Sequence, residues 1–244
     1  MHIHADAVIL SVRAHGEHGA IVRGFTRDHG VQPGYVRGGH ARRLRPVLQP
    51  ANAIRGEWRA RTDEQLPALT VELLHSRAPL HAEPLPAAAL EWLTALTAAT
   101  LPEGQPYPQL YDALGAVLDA IAAAPSARGW AGSIARYELL LLAELGFGLD
   151  LSACVVSGAT DDLAFVSPKS GGAVARAAAA GYEARLFALP PFLAAGVAAA
   201  IGQQVARQEM PGDRQRRQRL LPARRRDVLA ARERLVARVN RAVA

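Results

Sequence analysis

Ala20-Ile21-Val22-Arg23-Gly24-Phe25-Thr26-Arg27 alternates apolar and polar residues, the pattern of a β-strand with one buried and one solvated face. Turn signals bracket it: His15-Gly16-Glu17-His18-Gly19 before and Asp28-His29-Gly30 after. Upstream, residues 5–13 read as a buried strand. Downstream, Val31 to Val36 read as a third. Asn52 to Arg61 alternates again, and Leu69 to Leu74 supplies a fifth strand after a turn at Asp63-Glu64. Five short strands in so few residues predict a small barrel. The OB-fold is the five-stranded candidate, and its face and loops commonly bind oligonucleotides.

Between the third and fourth strands runs Val36-Arg37-Gly38-Gly39-His40-Ala41-Arg42-Arg43-Leu44-Arg45-Pro46-Val47-Leu48-Gln49-Pro50. Four of these residues are arginines and none is acidic. A flexible basic loop of this kind suits a phosphate backbone, because guanidinium forks pair bidentately with phosphate oxygens. Taken alone, it reads equally well as a solvated surface loop. Residues 13–61 hold ten arginines against three acids, with Phe25, Tyr35 and Trp58 interspersed. Basic grooves with interleaved aromatics hold single strands, charge following the backbone and rings stacking on bases. Tyr35, next to the loop, is the stacking candidate; Phe25 and Trp58 read equally as barrel core.

The 244 residues are half hydrophobic, enough for a sizeable core, and the formal charge of +6 with a pI near 10.2 suits an anionic partner. Lys169 is the single lysine, so the arginine bias can reflect a GC-rich genome as easily as guanidinium chemistry. The distribution is more telling. Residues 1–81 carry a net of +4, residues 82–206 a net of −6 and residues 207–244 a net of +8. One cysteine, Cys154, excludes an intrachain disulfide. No secretory leader and no apolar run of about 18 residues is present, so a cytoplasmic protein is expected.

The composition changes near residue 80, where Pro79, Pro84 and Pro86 mark a joint, dividing a barrel domain (1–80) from a helical domain (81–244). Helical periodicity covers 87–99, 109–123 and 133–145, the last stopped by Gly146, and predicts a bundle-like core. Residues 147–182 read as a loop-rich insert with short strands. Helices are predicted at 191–208 and, basic and amphipathic, at 222–243. The fold class is α+β.

No nucleophile elbow, Walker loop or His-Glu-x-x-His motif occurs, so no enzyme, cofactor or metal is expected. His15 and His18 flank Glu17 in a turn without a third ligand. Asp161-Asp162 reads as a solvated turn. Cys154-Val155-Val156-Ser157 is half of a Cys-x-x-Cys site with its second sulfur replaced, and no Cys or His follows.

These residues resemble the bacterial recombination mediators of the RecO family along almost the whole chain. The resemblance is carried by Ala7-Val8-Ile9-Leu10-Ser11-Val12-Arg13 with His15-Gly16-Glu17, by Phe25-Thr26-Arg27-Asp28-His29-Gly30, and by Val36-Arg37-Gly38-Gly39 with Ala41-Arg42-Arg43 and Leu48-Gln49-Pro50. The most specific match is the run from Tyr137 through Leu145-Gly146-Phe147-Gly148 to Cys154. The resemblance implies an N-terminal OB-fold, a helical domain and a zinc-finger-like insert. It implies a non-catalytic role in RecF-pathway repair: binding single- and double-stranded DNA, annealing strands, associating with RecR and with the acidic C-terminal tail of single-strand binding protein, and promoting RecA loading. The chain departs from zinc-bearing members at Ser157, Ala175 and Ala178. On this reading Arg37, Arg42, Arg43 and Arg45, with Arg13, Arg23 and Arg27, contact phosphates, and Tyr35 stacks. Arg136, a lone base on the third helix, meets a partner carboxylate with Leu140 and Phe147 beside it; an intrahelical pair with Glu138 or Glu144 is the competing reading. The alternative function is an RNA-binding OB-fold protein without a recombination role.

Overall fold

The computed structural model describes residues 1–62, 64–124 and 126–190. The predicted helices at 191–208 and 222–243, and the turn at Asp63, lie outside the described residues. The fold class is α+β, as read from the sequence. The described residues form two compact units, Met1–Ala131 and 132–190.

The first unit is built on five strands: β1 (His2–His15), β2 (Gly19–Thr26), β3 (Gly30–Val36), β4 (Ala53–Arg59) and β5 (Ala68–His75). They close in the order β1-β2-β3-β5-β4 with β4 returning to β1. All pairings are antiparallel except the short parallel closure of β3 on β5, where Tyr35 pairs with Ala68. This is the OB arrangement. Trp58 fills the barrel with Ile9, Val22, Ile54 and Leu69 around it. Gly24, Gly34 and Gly56, from three different strands, leave the room: a side chain on Gly56 would stand 2.3 Å from the indole. Phe25 is also fully buried, so both rings are structural.

The alternation at 20–27 marks a strand, but its second face is not solvated. β2 is buried almost throughout, because α1 (Pro84–Thr100) and α2 (Pro108–Ala123) are fastened to residues 23, 25 and 27 of that face. Phe25 meets Tyr111 of α2 edge to face at 5.6 Å. Of the prolines expected at a joint, Pro84 opens α1; Pro108 opens α2 in the same way, each in a first turn, where a missing N–H costs nothing. Of the three predicted helices, α1 and α2 belong to the unit that holds the barrel, and α3 (Ala131–Glu144) to the second unit.

In the second unit α3 ends at Gly146, whose φ of 83° carries the left-handed turn. Phe147 N–H donates to Leu142 O at 2.8 Å and Gly146 N–H to Ala143 O at 3.0 Å, closing the helix in a Schellman arrangement. The stretch 147–182, read as a loop-rich insert with short strands, carries three of them, which join a fourth beyond it in one sheet of order β6 (Asp150–Cys154), β8 (Gly172–Ala175), β7 (Leu163–Val166), β9 (Phe187–Ala188).

Candidate nucleic-acid interface

The basic loop after β3 is not a flexible tether. Gly38, at φ 68°, reverses the chain, and Ala41 N–H donates to Gly38 O at 2.8 Å. Leu44, Leu48 and Ala51 N–H groups donate to Ala41, Leu44 and Ile9 carbonyls at 2.8–2.9 Å. Leu44, Val47 and Leu48 turn inward and pack on the barrel core. The fully buried Asn52 ties the loop off: its side-chain amide donates to Pro46 O and Val47 O, and its carbonyl accepts from Arg77 N–H at 2.8 Å. With its apolar residues committed to the core, the loop holds Arg37, Arg42, Arg43 and Arg45 outward, all exposed.

The hairpin between β1 and β2 is drawn against this loop, for His40 N–H donates to His18 O at 3.4 Å. Exposed Arg13, near the end of β1, lies in the strand that leads into the hairpin. Tyr35 is half-buried, with the His15 ring edge-on to it at 5.9 Å. Among the described residues no carboxylate pairs with Arg13, Arg37, Arg42, Arg43 or Arg45. Among the described residues their charge is uncompensated, as a phosphate-binding face requires.

Two predicted phosphate contacts are placed otherwise. Arg23 is 8% exposed; its Nη1 donates to Ala98 O at 2.6 Å, and its Nε lies 3.1 Å from Glu103 Oε1. It caps the C-terminal end of α1, where carbonyls lack intrahelical donors, and is not available to DNA. Arg27 is exposed but pairs with Asp112 of α2 through Nε at 3.0 Å and Nη2 at 3.0 Å. Hydrogen bonding to Asp112 raises its pKa further. It is engaged in holding α2. Arg55 is paired with Asp6 and Arg59 with Glu57.

In the second unit Arg136 is exposed, Leu140 is half-buried one turn further on, and Phe147 is 66% exposed beyond the helix end. Among the described residues Arg136 has no ion-pair partner, so the competing pair with Glu138 or Glu144 does not form. Cys154 is buried, and its Sγ accepts from Ser157 N–H at 3.4 Å. A backbone donor from Ala175, helped by Ser157, holds the thiol down to about 6. Cys154 shares its cluster with Ala175 and Ala178. The positions compared with a zinc-ligand set thus come together around one sulfur, but a tetrahedral zinc does not fit two methyl groups and a hydroxyl. Among the described residues no group of three His, Cys, Asp or Glu side chains is gathered, and no helix is long and apolar enough to cross a membrane.

From the sequence, His15 and His18 read as solvated turn residues rather than a metal pair, with no part in binding. Both are exposed on the hairpin that flanks the arginines. Their one sequence signal is that all eight histidines fall in the first 81 residues.

An OB-type barrel with an exposed, unpaired arginine lip is of the oligonucleotide-binding class. Residues 1–77 match the family described as Recombination protein O N terminal, and residues 83–210 match Recombination protein O C terminal. The protein named DNA repair protein RecO from Rhodospirillum centenum is 43% identical over 243 residues, covering 97% of this chain and 94% of its own. Those from Cereibacter sphaeroides (strain ATCC 17029 / ATH 2.4.9) and Rhodospirillum rubrum are 46% and 48% identical over 185 and 189 residues, covering 76% of this chain and 76% and 75% of their own. The chain belongs to the recombination protein O family of DNA repair proteins.

Proposed function

We propose that this protein is a non-catalytic recombination mediator that binds single- and double-stranded DNA through the lip formed by Arg37, Arg42, Arg43 and Arg45, with Arg13 at its edge. The observation that carries this is the bare charge: four ordered, exposed arginines in nine residues, none paired with a carboxylate among the described residues. Phosphates supply the missing anions, and the inward-packed Leu44, Val47 and Leu48 keep the guanidinium groups in place. The protein anneals complementary strands by neutralising both backbones. It works with RecR and promotes RecA loading on strands covered by single-strand binding protein. The acidic tail of that protein docks at Arg136, with Leu140 and Phe147 providing apolar contact.

The test is a titration of the Arg42→Ala/Arg43→Ala double variant with labelled single strands at several salt concentrations. Losing two phosphate contacts lowers the salt slope by about 1.4 on single strands and about 1.8 on duplex. Unchanged affinity and slope would remove the loop from the site. For the partner surface, Arg136→Ala loses affinity for an acidic tail peptide while DNA binding stays at the wild-type level; wild-type peptide binding decides against it.

A further inference from the structure

Three strand ends meet beside the arginines: β1 stops at His15, β2 starts at Gly19, and β3 carries Tyr35 at its penultimate position. Register pairs His15 with Gly19 and Ile21 with Tyr35. Tyr35 is held twice over. Its backbone N–H donates to Pro67 O at 2.8 Å where the barrel closes. Its phenol end occupies the space above Gly19: any side chain there would stand 2.3 Å from ring carbon Cε2 and from the hydroxyl oxygen. The His15 ring then stands edge-on, its plane at 81° to that of Tyr35. Of the three Phe, Trp and Tyr side chains in residues 1–81, Tyr35 alone is not fully buried. A held, half-exposed aromatic pair, on the hairpin bonded to the arginine loop and on the strand that leads into that loop, is the combination that holds an unpaired base beside a bound phosphate backbone.

We infer that Tyr35 and His15, seated on Gly19, form a nucleobase-stacking platform that makes this lip discriminate single strands from duplex. This rests on the reading of the lip as the DNA site. The arginines meet phosphates, which both forms present. The rings meet base faces, which a duplex keeps stacked inside and releases only at a cost of a few kcal/mol per step. The platform therefore adds affinity only for unpaired bases, and it is sequence-tolerant because every base has a π-face.

The experiment uses the full chain and three labelled probes of equal length: oligothymidylate, a strand of abasic sites, and a duplex. Tyr35→Leu keeps an apolar cover on Gly19 without a ring. It weakens oligothymidylate binding by about five- to 150-fold and leaves the abasic strand and the duplex unchanged. Tyr35→Phe binds all three as the wild type does. His15→Ala, at an exposed position, shows a smaller loss confined to oligothymidylate, and it carries the test by itself if Tyr35→Leu does not fold. Equal losses on all three probes, or no loss on any, overturn the platform. The underlying DNA reading fails separately: it falls if Arg42→Ala/Arg43→Ala binds all three probes normally.

Discussion

Two sets of arginines sit on one barrel and have opposite fates. Arg23, Arg27 and Arg77 face the helices, and each is used up inside the fold. Arg23 caps α1, Arg27 clasps Asp112 of α2, and the buried Arg77 bridges Ala51 O at 2.8 Å and Asp119 Oδ1 of α2 at 2.5 Å. Arg37, Arg42, Arg43 and Arg45 stand on the loop, exposed and without carboxylate partners among the described residues. The side chains are chemically identical. What separates them is whether an anion or a carbonyl end is brought to them by another part of the chain. An arginine that is already satisfied stabilises the fold, and one that is not is left to bind a ligand.

The separation can be broken at its strongest point. Arg77→Ala strands the buried Ala51 carbonyl and removes the pair with Asp119, while the backbone N–H that holds Asn52 stays in place. It costs about 2–4 kcal/mol of stability, read from urea denaturation, with DNA affinity retained by the protein that stays folded. If stability is unchanged, the helix-facing set is not structural. Arg27→Ala removes an exposed pair with side chains about half accessible, so the urea midpoint shifts far less than for Arg77→Ala, and affinity for DNA stays within about twofold of wild type. A large fall in DNA affinity would move Arg27 into the other set. Smallest of all, Arg45→Ala changes the unfolding free energy by no more than about 0.5 kcal/mol, because no internal partner is lost. A larger change would reveal a structural role on the lip.

Much of this was legible along the chain. Alternation located β2 and β4 because the pleat puts successive side chains on opposite faces, apolar runs bounded by turn signals located the other three barrel strands, and the Gly146 stop ended α3 where the Schellman turn does. The cluster of arginines around Gly38 was visible for the same local reason. The burial of Arg23 and the pairing of Arg27 were not visible because their partners, Ala98, Glu103 and Asp112, lie 75 to 85 residues downstream. The alternating pattern at 20–27 says that one face differs from the other. It does not say that the second face is covered by α1 and α2. The loop was misread as flexible because Leu44, Val47 and Leu48 look like scattered apolar residues until the barrel end they cover exists.

The pairing of His15 with Tyr35 has the same character. The Asp28-His29-Gly30 turn between β2 and β3, and the hairpin that returns β1 into β2, can be read locally. That the Tyr35 ring needs Gly19 bare beneath it depends on register across three strands. By itself, then, the sequence determined the five barrel strands, the helices α1 to α3 and the excess of positive charge, all of which depend on neighbours a few residues away. Only the tertiary structure decided which of those charges are left unpaired. Neutralisation of an arginine is a matter of what lies within a few ångströms, and folding brings those groups together from distant parts of the chain.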